Sequence, residues 1–320
     1  MLERAVKVVV AGAGAFGKKH LEAISRIEGV ECVCVVGRRL PKTRAVAQQY
    51  GICHATTSLA EALELPDVSA VILSTPTQLH AGQAIQCLEA GKHVQVEIPL
   101  ADSLDDAIAV VNKQQATGLI AMCGHTRRFN LSHQWVHQRI AAGSLRIQHM
   151  VVDTHFFRRE NVNANGDARS WTDHLLWHHA AHTVDLFAYL TGEPIVQVNA
   201  IAGARHPTLG IAMDMSIQMT TASAQICSLS LSFNNEGPLG SVFRYICDEG
   251  TYVASYDDLV DGYGHLVDLS SMTQTGDGVE LQDREFFAAI AGSREPNASV
   301  GQVLDCYRVL GDIERQISLP

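Results

Sequence analysis

Four histidines fall within nine residues, His174, His178, His179 and His182, and Asp185 follows close behind. Positions 178, 182 and 185 stand at i, i+4 and i+7, so on a helix His178, His182 and Asp185 share one face. Imidazole titrates near working pH and suits a general base. His182 or His178 is the candidate, with Asp185 placed to fix a tautomer. The same His-x-x-x-His spacing can hold zinc. The Glu of a His-Glu-x-x-His motif is missing, as is a third ligand at a recognisable spacing, so no metal is expected. His174 reads as a structural histidine.

A second chemistry lies at the start of the chain. Gly12-Ala13-Gly14-Ala15-Phe16-Gly17 follows the apolar run Val6–Ala11 and precedes a helical pattern marked by Leu21, Ile24 and Ile27. Glycines there let the backbone approach a pyrophosphate, and a helix N-terminus supplies donors and a positive dipole end. The context of strand, turn and helix makes this a dinucleotide fingerprint. A second β-rich run, Val30–Val36, ends in Gly37-Arg38-Arg39 with Lys42 close by, where an NAD enzyme would place a carboxylate on the ribose 2′-hydroxyl. Two guanidiniums suit a 2′-phosphate, which predicts NADP, with NAD accepted more weakly. The plainer reading is two solvated surface arginines.

Arginines recur in pairs at Arg127-Arg128 and Arg158-Arg159, with Arg169 just before Trp171. In an acidic chain such pairs suggest local recognition of carboxylates, which the guanidinium fork does well. Arg127, Arg128, Arg158, Arg169, Trp171 and His179 form the candidate substrate set. Trp171 would stack at the substrate or serve as packing.

The elements that must carry these residues change character along the chain. Up to about residue 124, short apolar runs (Ala70–Ser74 and His93–Glu97 among them) alternate with helical stretches. One of these opens at Ser103, with Asp106 as a capping-box partner. That alternation predicts βαβ units and a parallel sheet. From Leu145 onward strands dominate: 146–157, 195–203, 214–221, 225–233, 242–247 and 251–256. One helix, Trp171–Leu190, interrupts them and is closed by Gly192. In Gln225–Phe233, Cys227, Leu229, Leu231 and Phe233 alternate with serines, so one face is buried and one carries hydroxyls. The expected fold class is α/β: an N-terminal Rossmann NADP-binding domain over 1–124 and a C-terminal α+β substrate-binding domain over 125–320. The latter has an open, mostly antiparallel sheet, whose free face predicts a homodimer.

The 320 residues are 47% hydrophobic and 18% charged, which excludes intrinsic disorder. Twenty-four basic against 34 acidic residues give a net charge of −10. Such a chain repels phosphate backbones and anionic lipid, so no nucleic acid and no membrane partner is expected. Eight cysteines without a CxxC pair read as reduced thiols. No apolar run reaches the roughly 18 residues of a membrane span. A cytoplasmic protein is expected.

Ser74-Thr75-Pro76-Thr77-Gln78-Leu79-His80, then Leu88-Glu89-Ala90-Gly91-Lys92-His93-Val94 and Glu97-Ile98-Pro99, resemble the Gfo/Idh/MocA oxidoreductase family, and the resemblance runs through His182-Thr183-Val184-Asp185 to the closing helix. It implies a Rossmann domain followed by a domain with an open sheet. Ser74, Thr75, Pro76 and His80 are expected along the cofactor, with Glu97 near the nicotinamide ribose or capping its loop. Four segments are similar to one branch of the family: His125–Asn130, Phe156–Arg159, Arg169–His182 and Ser232–Gly240. That branch implies NADP-dependent oxidation of a ring-cleaved aromatic dicarboxylate, as its cyclic hemiacetal, to 2-pyrone-4,6-dicarboxylate in protocatechuate 4,5-cleavage. Two departures stand out. Ile98 replaces the lysine most members place near the nicotinamide, and His178 stands where many have an Asp four residues before the motif histidine. The lysine-assisted proton transfer therefore does not carry over; Glu97, Pro99 and His182 do. Rivals are a sugar or inositol dehydrogenase of the same family, a non-catalytic NADP-sensing regulator and a metal-assisted enzyme.

Overall fold

Val6–Ala11 (β1) is apolar at nearly every position because it lies in the middle of a parallel sheet, with both faces covered. Around it the chain winds α1 (Ala15–Ile24), β2 (Val30–Val36), α2 (Leu40–Gln49), β3 (His54–Thr56), α3 (Leu59–Leu63) and β4 (Val68–Leu73). It continues through α4 (His80–Glu89), β5 (His93–Val96), α5 (Leu104–Thr117) and β6 (Ala121–Cys123). The sheet order is β3-β2-β1-β4-β5-β6, every pair parallel, and the order reverses between β1 and β4. In open sheets of this kind ligands bind outside the carboxyl ends of the strands at that reversal. The structure, a computed structural model, describes residues 5–162, 169, 171–272 and 276–318.

The local signals act as their chemistry dictates. Ser103 Oγ accepts from the Asp106 amide at 3.2 Å and caps α5, whose far end turns through Gly118 at φ 67°. Gly12 stands at φ +124°, a conformation costly for any residue with a Cβ.

The second sheet follows α6 (Leu131–Ala141). It comprises β7 (Ile147–His155), β8 (Ile195–Ala202), β9 (Asp214–Thr221), β10 (Ile226–Ser232), β11 (Gly240–Cys247), β12 (Gly250–Ser255) and β13 (Asp258–Asp261). Its order is β13-β12-β11-β7-β10-β9-β8, antiparallel except for β7 against β10. On β10, Cys227, Leu229 and Leu231 are buried while the serines between them are not, which is the period-two pattern of a half-covered sheet.

The helix read over Trp171–Leu190 needs correction at its start. It begins at Leu175, with His174 exposed and extended at the N-cap, so His174 is not a buried structural residue. Leu175–Ala180 forms a π turn before α7 (Ala181–Thr191), which Gly192 closes at φ 66°. A π turn carries more residues per turn than an α-helix, so the i, i+4 arithmetic from His178 to His182 crosses a change of pitch. Asp173 favours the late start, since its side chain competes with helix for backbone hydrogen bonds.

The chain forms two compact units rather than dividing once near residue 124. The first holds residues 1–125 and 279–304, and the second holds 126–278 and 305–320. α8 (Gly278–Gly292) thus returns the chain to the first unit, and α9 (Leu304–Ser318) ends it in the second. A period-3.6 pattern marks both helices but says nothing of which core receives them.

One glycine tests the fold. A Cβ on Gly17 would lie 1.7 Å from the Gly12 carbonyl oxygen, backbone against backbone, so Gly17→Ala must force α1 away from β1. We expect a loss of about 1–3 kcal/mol in urea unfolding, the usual scale of overpacking; an unchanged midpoint would show that the turn yields freely.

Candidate active site

The first unit presents a cradle at the β1–β4 reversal. A Cβ on Gly12 would lie 2.4 Å from the Ser74 carbonyl oxygen, and Ser74 Oγ donates to the carbonyls of Ala11 at 3.2 Å and Gly12 at 3.4 Å. Gly14, by contrast, has open space where its Cβ would be, and it is the N-cap of α1. No side chain caps that helix and no acidic residue lies in its first turn, so its leading N–H groups and dipole face an anion without a competitor. Gly14, Ala15 and Phe16 are exposed, with Lys19 over the Phe16 ring at 5.1 Å. The residues fit a dinucleotide pyrophosphate.

Arg38 and Arg39 are exposed at the end of β2, and Arg39 opens α2. Thr75 Oγ1 donates to Gln83 at 2.6 Å, and Pro76 caps a short 3₁₀ turn after β4. His80 makes contacts that the sequence did not suggest. It is buried, with Nδ1 2.6 Å from the Pro99 carbonyl and Nε2 2.8 Å from that of Thr75, so it braces the two loops that carry Thr75 and Glu97. Burial lowers its basicity against the pull of those carbonyls. Glu97 is likewise buried; Gln282 Nε2 donates to its Oε1 at 2.9 Å, and His20 Nε2 lies 3.2 Å from the same atom.

In the second unit, Asp173 gathers the residues that the sequence could only list. Arg158 grips it with both terminal nitrogens, one at 2.8 Å from Oδ2; Arg169 Nη1 reaches Oδ1 at 3.1 Å, and His179 Nε2 lies 3.3 Å from Oδ2. Aromatic rings wall the cluster. Arg158 lies over Phe233 at 4.7 Å and Arg169 over Trp171 at 5.3 Å, while His179 packs against Phe156 and Phe233. His178 is 5.1 Å from His179 and 6.0 Å from Trp171, ring centre to ring centre. Burial works to raise the Asp173 carboxyl, but the His179 hydrogen bond and the charges of His178, His179 and Arg158 hold it far below the usual carboxylate range. Burial together with Arg158 lowers Arg169, and Asp173 opposes them. Two guanidiniums against one carboxylate leave a net positive charge. Arg158, Arg169, Trp171, His178 and His179 are thus brought together. Asp173 was missed, though its place between Arg169 and the histidine run was a visible signal.

The other arginine pair lies among different partners. Arg128 Nε and Nη2 donate to the two oxygens of Asp185 at 2.8 and 2.6 Å, both residues buried, with Tyr189 beneath the guanidinium at 4.5 Å. This commits the Arg128 fork to the protein. Both Asp185 oxygens thus accept from an arginine. Arg127 lies between Phe243 at 5.7 Å and Tyr256 at 4.8 Å, with Nη1 3.4 Å from Asn130 Oδ1 and a buried Nε that has no hydrogen-bond partner among the described residues. Burial lowers its basicity, against Tyr256, Tyr245 and Asp257. His182 is half-buried in the first turn of α7. Ser170, inside the segment that carries the resemblance, lies outside the described residues.

Among the described residues no group of three or more His, Cys, Asp or Glu side chains is arranged to hold a metal ion. Burial pushes the thiols of Cys32, Cys87 and Cys247 up to about 12 and that of Cys34 to about 11, and raises Cys227 as well, so these thiols stay protonated. No described helix is long and apolar enough to cross a membrane.

Comparison with known proteins follows the same division. A family model described as an oxidoreductase family with an NAD-binding Rossmann fold matches residues 6–125, and one for the C-terminal part of bacterial oxidoreductases matches 131–273. The 4-carboxy-2-hydroxymuconate-6-semialdehyde dehydrogenase of Sphingobium sp. is 62% identical over 312 residues, covering 98% of this chain and 99% of the relative. Inositol 2-dehydrogenase 2 of Paenarthrobacter aurescens is 25% identical, over 93% of this chain and 91% of its own. Among solved structures, levoglucosan dehydrogenase in complex with NADH superposes with a TM-score of 0.83 at 21% identity, covering 98% of this chain and 96% of that one, which shows the shared fold.

The Arg128–Asp185 pair yields a test of its structural role. Removing one partner of a buried ion pair leaves the other charge uncompensated, so Arg128→Ala should cost about 3–5 kcal/mol in denaturant unfolding. An Arg128→Met/Asp185→Leu double variant should recover most of that. A single variant as stable as the parent would return Arg128 to the substrate set.

Proposed function

This chain belongs to the Gfo/Idh/MocA oxidoreductase family and is an NAD(P)-dependent dehydrogenase. From that premise we propose that it oxidises 4-carboxy-2-hydroxymuconate-6-semialdehyde, as its cyclic hemiacetal, to 2-pyrone-4,6-dicarboxylate with NADP⁺ as acceptor. The observation that carries the substrate is identity of 62% along essentially the whole of a dehydrogenase named for it. The chemistry supports the pyrone as product. Oxidising a free aldehyde requires a thiolate adduct or a hydrate, and five thiols here are held protonated by burial. A substrate closed on itself presents a carbon bearing both hydrogen and hydroxyl. Loss of hydride from that carbon and of a proton from the hydroxyl leaves a lactone carbonyl.

Bound in the first unit, the nicotinamide supplies the hydride acceptor. Gly12, Gly14, Ala15, Phe16 and Gly17 take the pyrophosphate, and Ser74, Thr75, Pro76 and Glu97 border the rest of the cofactor. Arg38 and Arg39 receive a 2′-phosphate at the end of β2, where no carboxylate follows the strand. In the second unit, Arg158 and Arg169 hold one substrate carboxylate through the positive excess left by Asp173. Arg127 takes the other, and Trp171 and His179 wall the ring. His182, or His178 beside Trp171, accepts the hemiacetal proton. The second sheet turns Ile201, Ile226 and Val242 outward, at 70%, 44% and 44% exposure, and we assign that face to a second copy of the chain. The protein works in the cytoplasm, where its cofactor pool lies.

Three measurements bear on this. With ring-cleaved protocatechuate supplied, absorbance of the reduced nicotinamide should rise faster with NADP⁺ than with NAD⁺ and the pyrone dicarboxylate should accumulate; oxidation to an open-chain acid would overturn the hemiacetal route. His182→Ala or His178→Ala, whichever removes the base, should lose roughly 10²–10⁴ in kcat. Arg38→Glu should weaken NADP⁺ at least about tenfold more than NAD⁺, the scale of one lost charge-assisted contact.

A further inference from the structure

His20 lies one turn past the glycine fingerprint on α1 and is fully buried, yet it faces two carboxylates. Its Nδ1 donates to Asp283 at 3.0 and 2.9 Å, and its Nε2 stands 3.2 Å from Glu97 Oε1. Two neutral amides complete the arrangement: Gln95 Nε2 donates to Asp283 Oδ1 at 2.6 Å, and Gln282 Nε2 to Glu97 Oε1 at 2.9 Å. The backbone closes the remaining side, for a Cβ on Gly124 would lie 2.6 Å from Glu97 Oε1. Two buried carboxylates this close to one another repel unless a proton lies between them.

We propose that His20 is a positioning residue for the cofactor, an imidazolium that ties the helix beginning at the fingerprint to the Glu97 loop after β5 and to α8. Three stretches of chain far apart in sequence meet at this one charge: α1 carries the pyrophosphate end of the cradle, the β5 loop its nicotinamide end, and α8 the segment that re-enters the unit. A neutral imidazole can donate from one nitrogen only, so it can satisfy Asp283 or Glu97 and not both. The charged form serves both. The inference rests on the first unit binding a nicotinamide cofactor, and not on which substrate the enzyme oxidises.

The pH behaviour follows from the same contacts. Burial alone would lower His20, but Asp283 and Glu97 outweigh it and raise its pKa to about 10. Glu97 is lowered in turn by His20, Gln282 and His80, against burial, while burial pushes Asp283 up against His20. Asp102 raises the neighbouring His80. A folded pKa above the ordinary 6.5 means that the stabilisation is fully present below 6.5. It declines above that value and is gone once pH passes about 10.

The experiment is NADPH binding without substrate, read by fluorescence from pH 7 to 10.5. Wild type should bind evenly to about pH 9 and weaken near the His20 pKa of about 10. His20→Gln should bind about tenfold more weakly at pH 7.5, the scale of one lost charge-assisted contact, and show no alkaline break of its own. Asp283→Asn removes one counter-charge, so its break should move down by at least about one pH unit. A His20→Gln protein with wild-type affinity and the same alkaline break overturns the proposal. If that variant does not fold, an Asp283→Asn break that stays in place does so alone. The thermal midpoint of the cofactor-free wild type should also fall between pH 6.5 and 10, and a flat profile there counts against the imidazolium. Turnover enters none of these readouts, so a wrong substrate would leave them untouched.

Discussion

Arg158 and Arg169 cannot lie side by side away from water unless a carboxylate lies between them, and Asp173 is that carboxylate. The arrangement of charged groups in this part of the second unit depends on that convergence. It brings together residues 158, 169, 171 and 179, holds His179 by a ring nitrogen and leaves one positive charge in excess. It lies just ahead of the helix: His174 is extended, and the chain begins to coil at Leu175. The aromatic rings of Phe233, Trp171 and Phe156 add area without charge, so the guanidinium faces are covered while their edges stay on oxygen.

The same rule of charge satisfaction places the other ionisable groups. Arg128 and Asp185 pair through both nitrogens and both oxygens, and in doing so fix the 3₁₀ turn before α6 against α7. In the first unit a single imidazolium stands between two carboxylates. There the amides of Gln95 and Gln282 take lone pairs that water would otherwise occupy. Each arrangement joins segments far apart in sequence, which is why each holds tertiary structure and not merely a turn. The phosphate cradle works by the opposite device, since its glycines keep side chains away and leave backbone donors for a ligand.

Much of the fold was legible because its signals are local. The apolar run before Gly12, the capping pair Ser103 and Asp106, the alternation on β10 and the stop at Gly192 all follow from residues within a turn or a strand of one another. The π turn was not legible, since an α-helical and a π-helical reading of Leu175–Ala180 share the same apolar residues. The return of Val279–Leu304 to the first unit was equally hidden, because amphipathicity reports that a face is buried and not against what.

The sequence by itself determined the fold class, the dinucleotide fingerprint and its context, the missing carboxylate at the end of β2 and the family. Composition and short-range spacing suffice for each of these. Only the tertiary structure decided which charge faces which. It paired Asp185 with Arg128, set His80 between the Thr75 and Pro99 carbonyls, and brought forward Asp173, His20 and Asp283. The physical reason is that pairing energy depends on distance and burial, and neither is a property of residues near one another in the chain.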